Sequence, residues 1–134
     1  MGRRVGRRKQ RGMSVSVLFS GVVLALLTVA GLVIDGGAQV SARRTAEAVA
    51  AQAARAGSDA TAAERLVGRD GIAEGLAAAR AVVAAHPEVT GEVGLAAGVL
   101  SVHTSASVDT TFLSLVRVQQ LHASGSAEAV LTPA

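Results

Sequence analysis

Residues 13–34 read MSVSVLFSGVVLALLTVAGLVI, and none of them is charged. About twenty helical residues cross the hydrocarbon core of a bilayer, so this run is long enough to span one. A helix satisfies its own backbone hydrogen bonds, which is the condition for entering lipid. The other home for such a helix is the middle of a soluble core. The rest of the chain is poorly equipped to cover it. Much of its apolar content is alanine, which buries little area per residue, and Phe19 and Phe112 are the only aromatic residues. The run is therefore expected to be a transmembrane helix, closed at its far end by Asp35.

The charges give that helix a direction. The chain carries 13 basic and 10 acidic residues and has a pI near 11.0. Six of the basic residues, Arg3, Arg4, Arg7, Arg8, Lys9 and Arg11, precede the apolar run. Beyond it, seven basic residues face ten acidic ones. The basicity belongs to a short tail, which the positive-inside rule keeps in the cytoplasm, where it meets anionic lipid headgroups. The remainder is expected outside, making this a single-pass protein of the cell membrane. With no basic patch and no aromatic platform past the tail, nucleic acid is not an expected partner. A cleaved secretory signal is the alternative, with Thr28, Val29 and Ala30 as the small residues before a cut. It would release a secreted or surface binding module. The run exceeds the usual seven to fifteen apolar residues of such signals, which favours the anchor. Arg7-Arg8 lacks the apolar residues expected after a twin-arginine signal. Within the span, Ser16 and Ser20, and Gly21 and Ala25, are small residues four apart, a spacing that lets helices approach closely in lipid.

Past Asp35, Gly36 and Gly37 form a weak point, since each glycine costs a helix about 1 kcal/mol. Residues 38–56 then contain neither Gly nor Pro, and a helix is expected to continue to Ala56. Val40, Arg44, Glu47, Ala51 and Ala54 recur at helical spacing without making a strongly apolar face. Gly57-Ser58-Asp59 reads as a break. Thr61 and Glu64 fit a capping box opening a short helix that ends near Gly68. Asp70 caps the next helix, along which Ile72, Leu76, Ala79 and Val83 recur before Pro87. The period then changes to two. Residues 92–96 read as a short strand, with Gly98 at a turn. Leu100, Val102, Ala106 and Val108 alternate with Ser101, His103, Ser105 and Ser107. Thr111 to Val116 reads as a helical turn carrying Phe112 and Leu115 inward. Leu121, Ala123, Ala127, Ala129 and Leu131 alternate with His122, Ser124, Ser126 and Glu128.

The stretch from Arg11 to Ala56 resembles the TadE/TadG-like proteins of tight-adherence (Flp) pilus assembly. Arg11-Gly12, the apolar run, residues 31–37 with Asp35, Gly36 and Gly37, the step Ala42-Arg43-Arg44, and Ala46, Ala50, Ala53 and Ala54 carry the likeness. Residues 99–108 and 121–131 are similar more loosely. The resemblance implies a pilin-like architecture of basic tail, membrane helix, Ala/Arg-rich helix and small outer domain with strands. It also implies partners among other pilin-like subunits or pilus-assembly membrane proteins. In pilin-like members a prepilin peptidase cuts after a glycine, and the candidate processing site here is Gly12-Met13. Pilin-like members often carry a glutamate shortly after that point, whereas this chain has no acid between Gly12 and Asp35. An anchored accessory subunit is therefore expected, rather than a major pilin. Arg43 and Arg44 would face solvent or the acids of a neighbouring subunit.

Chemistry has little to work with. Cysteine is absent. His86, His103 and His122 have no ligand spacing, although His103 and His122 would be neighbours if their strands paired. The serines lack a GxSxG elbow, and there is no phosphate-binding GxxxxGK[ST] loop. No cofactor, metal, small-molecule substrate or enzymatic activity is expected. The expected fold is α+β: a long N-terminal helix, transmembrane in its first half, then short helices and a small antiparallel sheet. The expected divisions are a basic cytoplasmic tail (1–12), the transmembrane helix (13–34), a juxtamembrane Ala-rich helix (35–57) and a small extracytoplasmic domain (58–134).

Overall fold

A computed structural model describes the backbone of residues 9–131 and the side chains of 14–131. It is α+β, with the order α1 (Lys9–Leu66), α2 (Ile72–Ala84), β1 (Val89–Ala96), β2 (Val99–Asp109), a short 3-10 helix η1 (Leu113–Val116) and β3 (Gln120–Val130). The basic residues before Lys9 lie outside the described residues.

The first helix is longer than its sequence suggests. Its 58 residues extend about 87 Å at 1.5 Å per residue. It passes Gly36 and Gly37 without interruption, and it also passes Gly57, Ser58 and Asp59, where a break is expected. The reason lies in α2. A Cβ on Gly75 would run into the Thr61 hydroxyl and lie 2.8 Å from the Gly57 carbonyl oxygen, while one on Gly57 would collide with Leu100. The two glycines let α1 and α2 touch backbone to backbone, and this contact offsets the cost of glycine within a helix. Thr61 is accordingly not an N-cap. It sits mid-helix, buried, and donates its hydroxyl to the Gly57 carbonyl one turn back at 2.9 Å. The helix closes at Gly68 (φ 81°), where the Arg69 N–H returns to the Glu64 carbonyl and the Gly68 N–H to that of Arg65. Arg69 also pairs with the Glu64 carboxylate.

Asp70 does not cap α2. That place is taken by Gly71 at φ 74°, with no side-chain cap. A Cβ there would lie 2.7 Å from the Thr61 carbonyl oxygen, so both the conformation and the space call for glycine. Gly75, Ala79 and Val83 form the buried stripe of α2.

The sheet is antiparallel, in the order β1-β2-β3. β1 begins at Val89, three residues before the expected strand. It turns into β2 through Ala97 (φ 50°) and Gly98 (φ 78°), two left-handed residues as a tight hairpin needs. β2 and β3 pair from Val99↔Val130 to Asp109↔Gln120. Leu100, Val102, Thr104 and Ala106 of β2 are buried, as are Ala123 and Gly125 of β3. Both helices cover this one face. The other face presents Ser105, Ser124, Ser126 and His103 to solvent.

The core is built from small residues: Ala46, Val49, Ala50, Ala53 and Ala54 of α1 meet Leu100, Val102 and Ala106 of β2. The approach is closest at Gly125, where a Cβ would lie 2.5 Å from the Ala46 carbonyl carbon. Beside it the buried Thr104 hydroxyl donates to the Ala46 carbonyl at 2.8 Å, and the Gly125 carbonyl is its other neighbour at 3.2 Å. The 113–116 turn exists, but only part of it faces inward: Leu115 is 83% exposed. The backbone amides of the turn are drawn towards α1, which leaves the end of the turn outside.

Two glycine substitutions separate these roles. Nothing lies within 4 Å of a Cβ on Gly36, so Gly36→Ala is expected to stabilise the chain by about 0.5–1 kcal/mol. Gly125→Ala is expected to destabilise it by about 1–3 kcal/mol, because helix and strand must separate. Chemical denaturation of the full chain in micelles, followed by circular dichroism, reads both.

Candidate functional site at the end of the apolar run

Asp35 sits where the uncharged run stops, one helical turn after Gly31. An acid there would ordinarily face water or headgroups. Here it is buried, 2% exposed, because η1 packs over it. Its Oδ1 accepts the Thr111 N–H at 2.9 Å, and its Oδ2 accepts those of Phe112 (3.0 Å) and Leu113 (2.7 Å). These are the N–H groups a short helix leaves unpaired at its start, and a carboxylate is the acceptor best suited to them. A residue 76 positions earlier in the chain thus caps η1. The Leu113 amide holds the Asp35 carboxyl below its ordinary value of 3.8; burial pushes the other way, and the Thr111 and Phe112 amides add to the lowering.

Gly31 completes the joint. A Cβ on it would lie 2.6 Å from the Cβ and Cγ of Phe112, so the ring rests directly on the helix backbone. Gly31 is the one buried residue of 14–34; from Val15 to Ile34 the large apolar side chains are all exposed. The apolar half of α1 is one helix long and apolar enough to cross a membrane, and the protein's own residues do not cover it.

The other sequence-derived candidates are scattered. Ser16, Ser20, Gly21 and Ala25 lie on the exposed surface of the apolar half, and a Cβ on Gly21 would meet nothing within 4 Å. Gly12 and Met13 fall within the backbone of α1, with their side chains outside the described residues. Gly36 and Gly37 continue the helix. Arg43 donates to Glu47 at 2.9 Å on an exposed face, and Arg44 is exposed. His103 and His122 do not meet. They pair with Ser126 and Ser107 respectively, which separates them by four residues along the ladder, about 13 Å. His86 turns its Nδ1 to the Val82 carbonyl at 2.8 Å. Among the described residues, no three His, Cys, Asp or Glu side chains gather as metal ligands would.

Residues 12–64 match the Flp pilus-assembly TadE/G-like family. The matched segment is nearly coextensive with α1. It contains the apolar half, Gly31, Asp35, the alanine face and the Gly57–Thr61 turn that receives α2. The likeness of 99–108 and 121–131 lies beyond the matched residues. No curated protein and no solved structure matches the chain. The chain is thus similar, over 12–64, to Flp pilus-assembly TadE/G-like proteins, and the matched stretch holds the helix long and apolar enough to cross a membrane.

Sequence reasoning singled out Asp35 but not its partners. Amides donate from any residue type, so Thr111, Phe112 and Leu113 leave no signature. Gly31 had one: a glycine one turn before the acid that ends the apolar run.

The depressed pKa fixes the pH behaviour of the joint. A carboxylate with a lowered folded-state value contributes stability that is complete above the unfolded value, near 3.8, and is lost as pH falls through the lower folded value. The Leu113 amide shift, followed by NMR, is expected to titrate with a midpoint below 3.8. In Asp35→Ala the Thr111, Phe112 and Leu113 amides should lose their hydrogen-exchange protection. Asp35→Asn should retain only part of it, because its single carbonyl oxygen cannot replace both carboxylate oxygens.

Proposed function

We propose that this chain is a membrane-anchored, pilin-like accessory subunit of the Flp pilus-assembly apparatus, with a structural rather than catalytic role. The observation that carries the reading is the division of α1. One half is an exposed apolar helix of membrane-crossing length, and the same helix continues as the central element of the packed α+β unit. The anchor and the domain are one rigid piece. The TadE/G-like match over residues 12–64 supplies the setting.

In this reading the six basic residues before the span hold the N-terminus in the cytoplasm, and the α+β unit stands outside. The span offers Ser16, Ser20, Gly21 and Ala25 to the helices of sister subunits or of assembly proteins in the membrane. Processing at Gly12 is not part of the role, because no acid follows it before Asp35, and Asp35 is engaged by its own chain. Asp35, Gly36 and Gly37 with Arg43 and Arg44 form the family motif, in which Asp35 sets the outer unit against the membrane boundary. Release after Ala30 is disfavoured by the helix, which runs unbroken through residues 28–31 into the Gly31–Phe112 contact.

Intact mass of the native chain, recovered separately from membranes, sheared surface material and medium, tests this. A nearly full-length mass confined to membranes is the expected outcome. A chain beginning at Met13 in sheared material would show pilin-like processing. One beginning at Gly31 in the medium would replace the anchored subunit with a secreted module.

A further inference from the structure

The loop between β2 and β3 has a composition unlike its surroundings. The sheet's open face is mostly polar and small, with Leu95 of β1 and Val130 of β3 as exposed large apolar side chains on the edge strands. Residues 112–118 instead carry Phe112, Leu113, Leu115, Val116 and Val118 around a single charge, Arg117. Leu115 is 83% exposed and Val116 68%, as open as the side chains of the apolar helix itself. Leu66 and Val67, where α1 ends, are exposed to the same degree, but the loop gathers five apolar residues in seven positions, and such a cluster calls for an explanation where a lone exposed leucine does not.

The position of the loop supplies that explanation. Asp35 and Gly31 clamp it to the last turn of the apolar run. Phe112 rests on Gly31, four residues and so about 6 Å along the helix from Asp35 on the side of the apolar run, and the 111–113 amides lie at Asp35 itself, so the loop starts at the end of that run. For a helix in a bilayer, a segment at that level lies in the headgroup and upper acyl region, about 5–10 Å deep. Its backbone is prepared for low water. The N–H groups of 110–113, 115, 117 and 118 all have acceptors within the protein: Asp35 takes three, and turns within the loop take the others. Thr110 also gives its hydroxyl to the Val118 carbonyl at the neck, and Ser114 gives its own to Thr111 at 2.7 Å. A loop meant for water has no need to satisfy its amides so fully.

We propose that the 110–119 loop is a second membrane contact. It inserts Leu115 and Val116 into the headgroup–acyl boundary of the outer leaflet beside the anchor helix, with Arg117 reaching lipid phosphate. The proposal rests on the anchored reading above and deepens it. The outer unit is then held to the membrane at two points and cannot swivel about the helix.

The chain has no cysteine, so single nitroxide labels can be placed cleanly. Three full-length variants, V22C, L115C and E128C, are labelled and reconstituted in phosphatidylcholine vesicles containing a minor fraction of phosphatidylglycerol. Accessibility to oxygen and to a water-soluble nickel chelate is measured for each. The expected result is a lipid signature at 22, an interfacial signature at 115, with an oxygen-to-nickel ratio severalfold above that at 128, and an aqueous signature at 128. A lipid signature at 22 with an aqueous one at 115 would overturn the loop contact while leaving the anchor intact, and would leave the loop's apolar surface for a neighbouring protein. An aqueous signature at both 22 and 115 would overturn the anchor and the loop contact together. Adding Asp35→Ala to L115C is expected to shift its label towards water without moving the label at 22. An unchanged signature at 115 would contradict the clamp.

Discussion

The structure outside the apolar run depends on one side of the helix that contains that run. Ala46, Ala50, Ala53 and Gly57 make that side nearly smooth, and the partners answer with Gly125, Gly75 and Ala79. Alanine contributes little buried area, so this core cannot rest on large side chains. It gains from proximity instead. Backbones meet closely enough for many dispersion contacts, and a threonine hydroxyl on the sheet can reach a helix carbonyl. The arrangement tolerates little change in size, since a single methyl at Gly125 or Gly75 falls on backbone atoms. The sheet and α2 therefore have no core of their own without the second half of α1.

A helix shared between the apolar run and the packed unit raises a mechanical question where the two meet, because two glycines follow Asp35 there. Asp35 answers it. By gathering the amides of Thr111, Phe112 and Leu113 at the start of η1, it ties the far end of the β2–β3 hairpin to the helix one residue before those glycines. The hairpin then braces the helix across the step: it is held to α1 at Asp35 below and at Ala46 and Gly57 above. Gly36 and Gly37 remain helical because the segments on both sides are fixed by contacts that a bend would break.

Much of this was legible in the residues, and the failures share a cause. The apolar run, the return to a period of two after Pro87, the inward residues of β2 and β3 and the stop at Gly68 follow from local pattern alone. Gly57 and Thr61 were misread because local rules treat glycine as a breaker and threonine three before glutamate as a cap. Gly75, eighteen residues on, reverses both readings by needing a bare helix surface. Asp70 lost its role to Gly71 for the same kind of reason, since the crowded turn admits no side chain. The inward tilt expected of Leu115 failed because periodicity says which residues share a face but not where a loop is tied. At Asp35 the acid was visible from sequence, but its partners are backbone amides, and these carry no side-chain signal.

Whether α1 is one unbroken rod from the apolar run into the core is read by a single distance. Spin labels at L24C and R55C, both exposed positions on α1, are separated by 31 residues, or about 46 Å along an unbroken helix. Pulsed electron–electron resonance on the full chain in lipid should give one narrow distribution near that length. A broad distribution, or a mean well below it, would mean that the chain bends at Gly36 and Gly37, and that anchor and domain are two bodies rather than one.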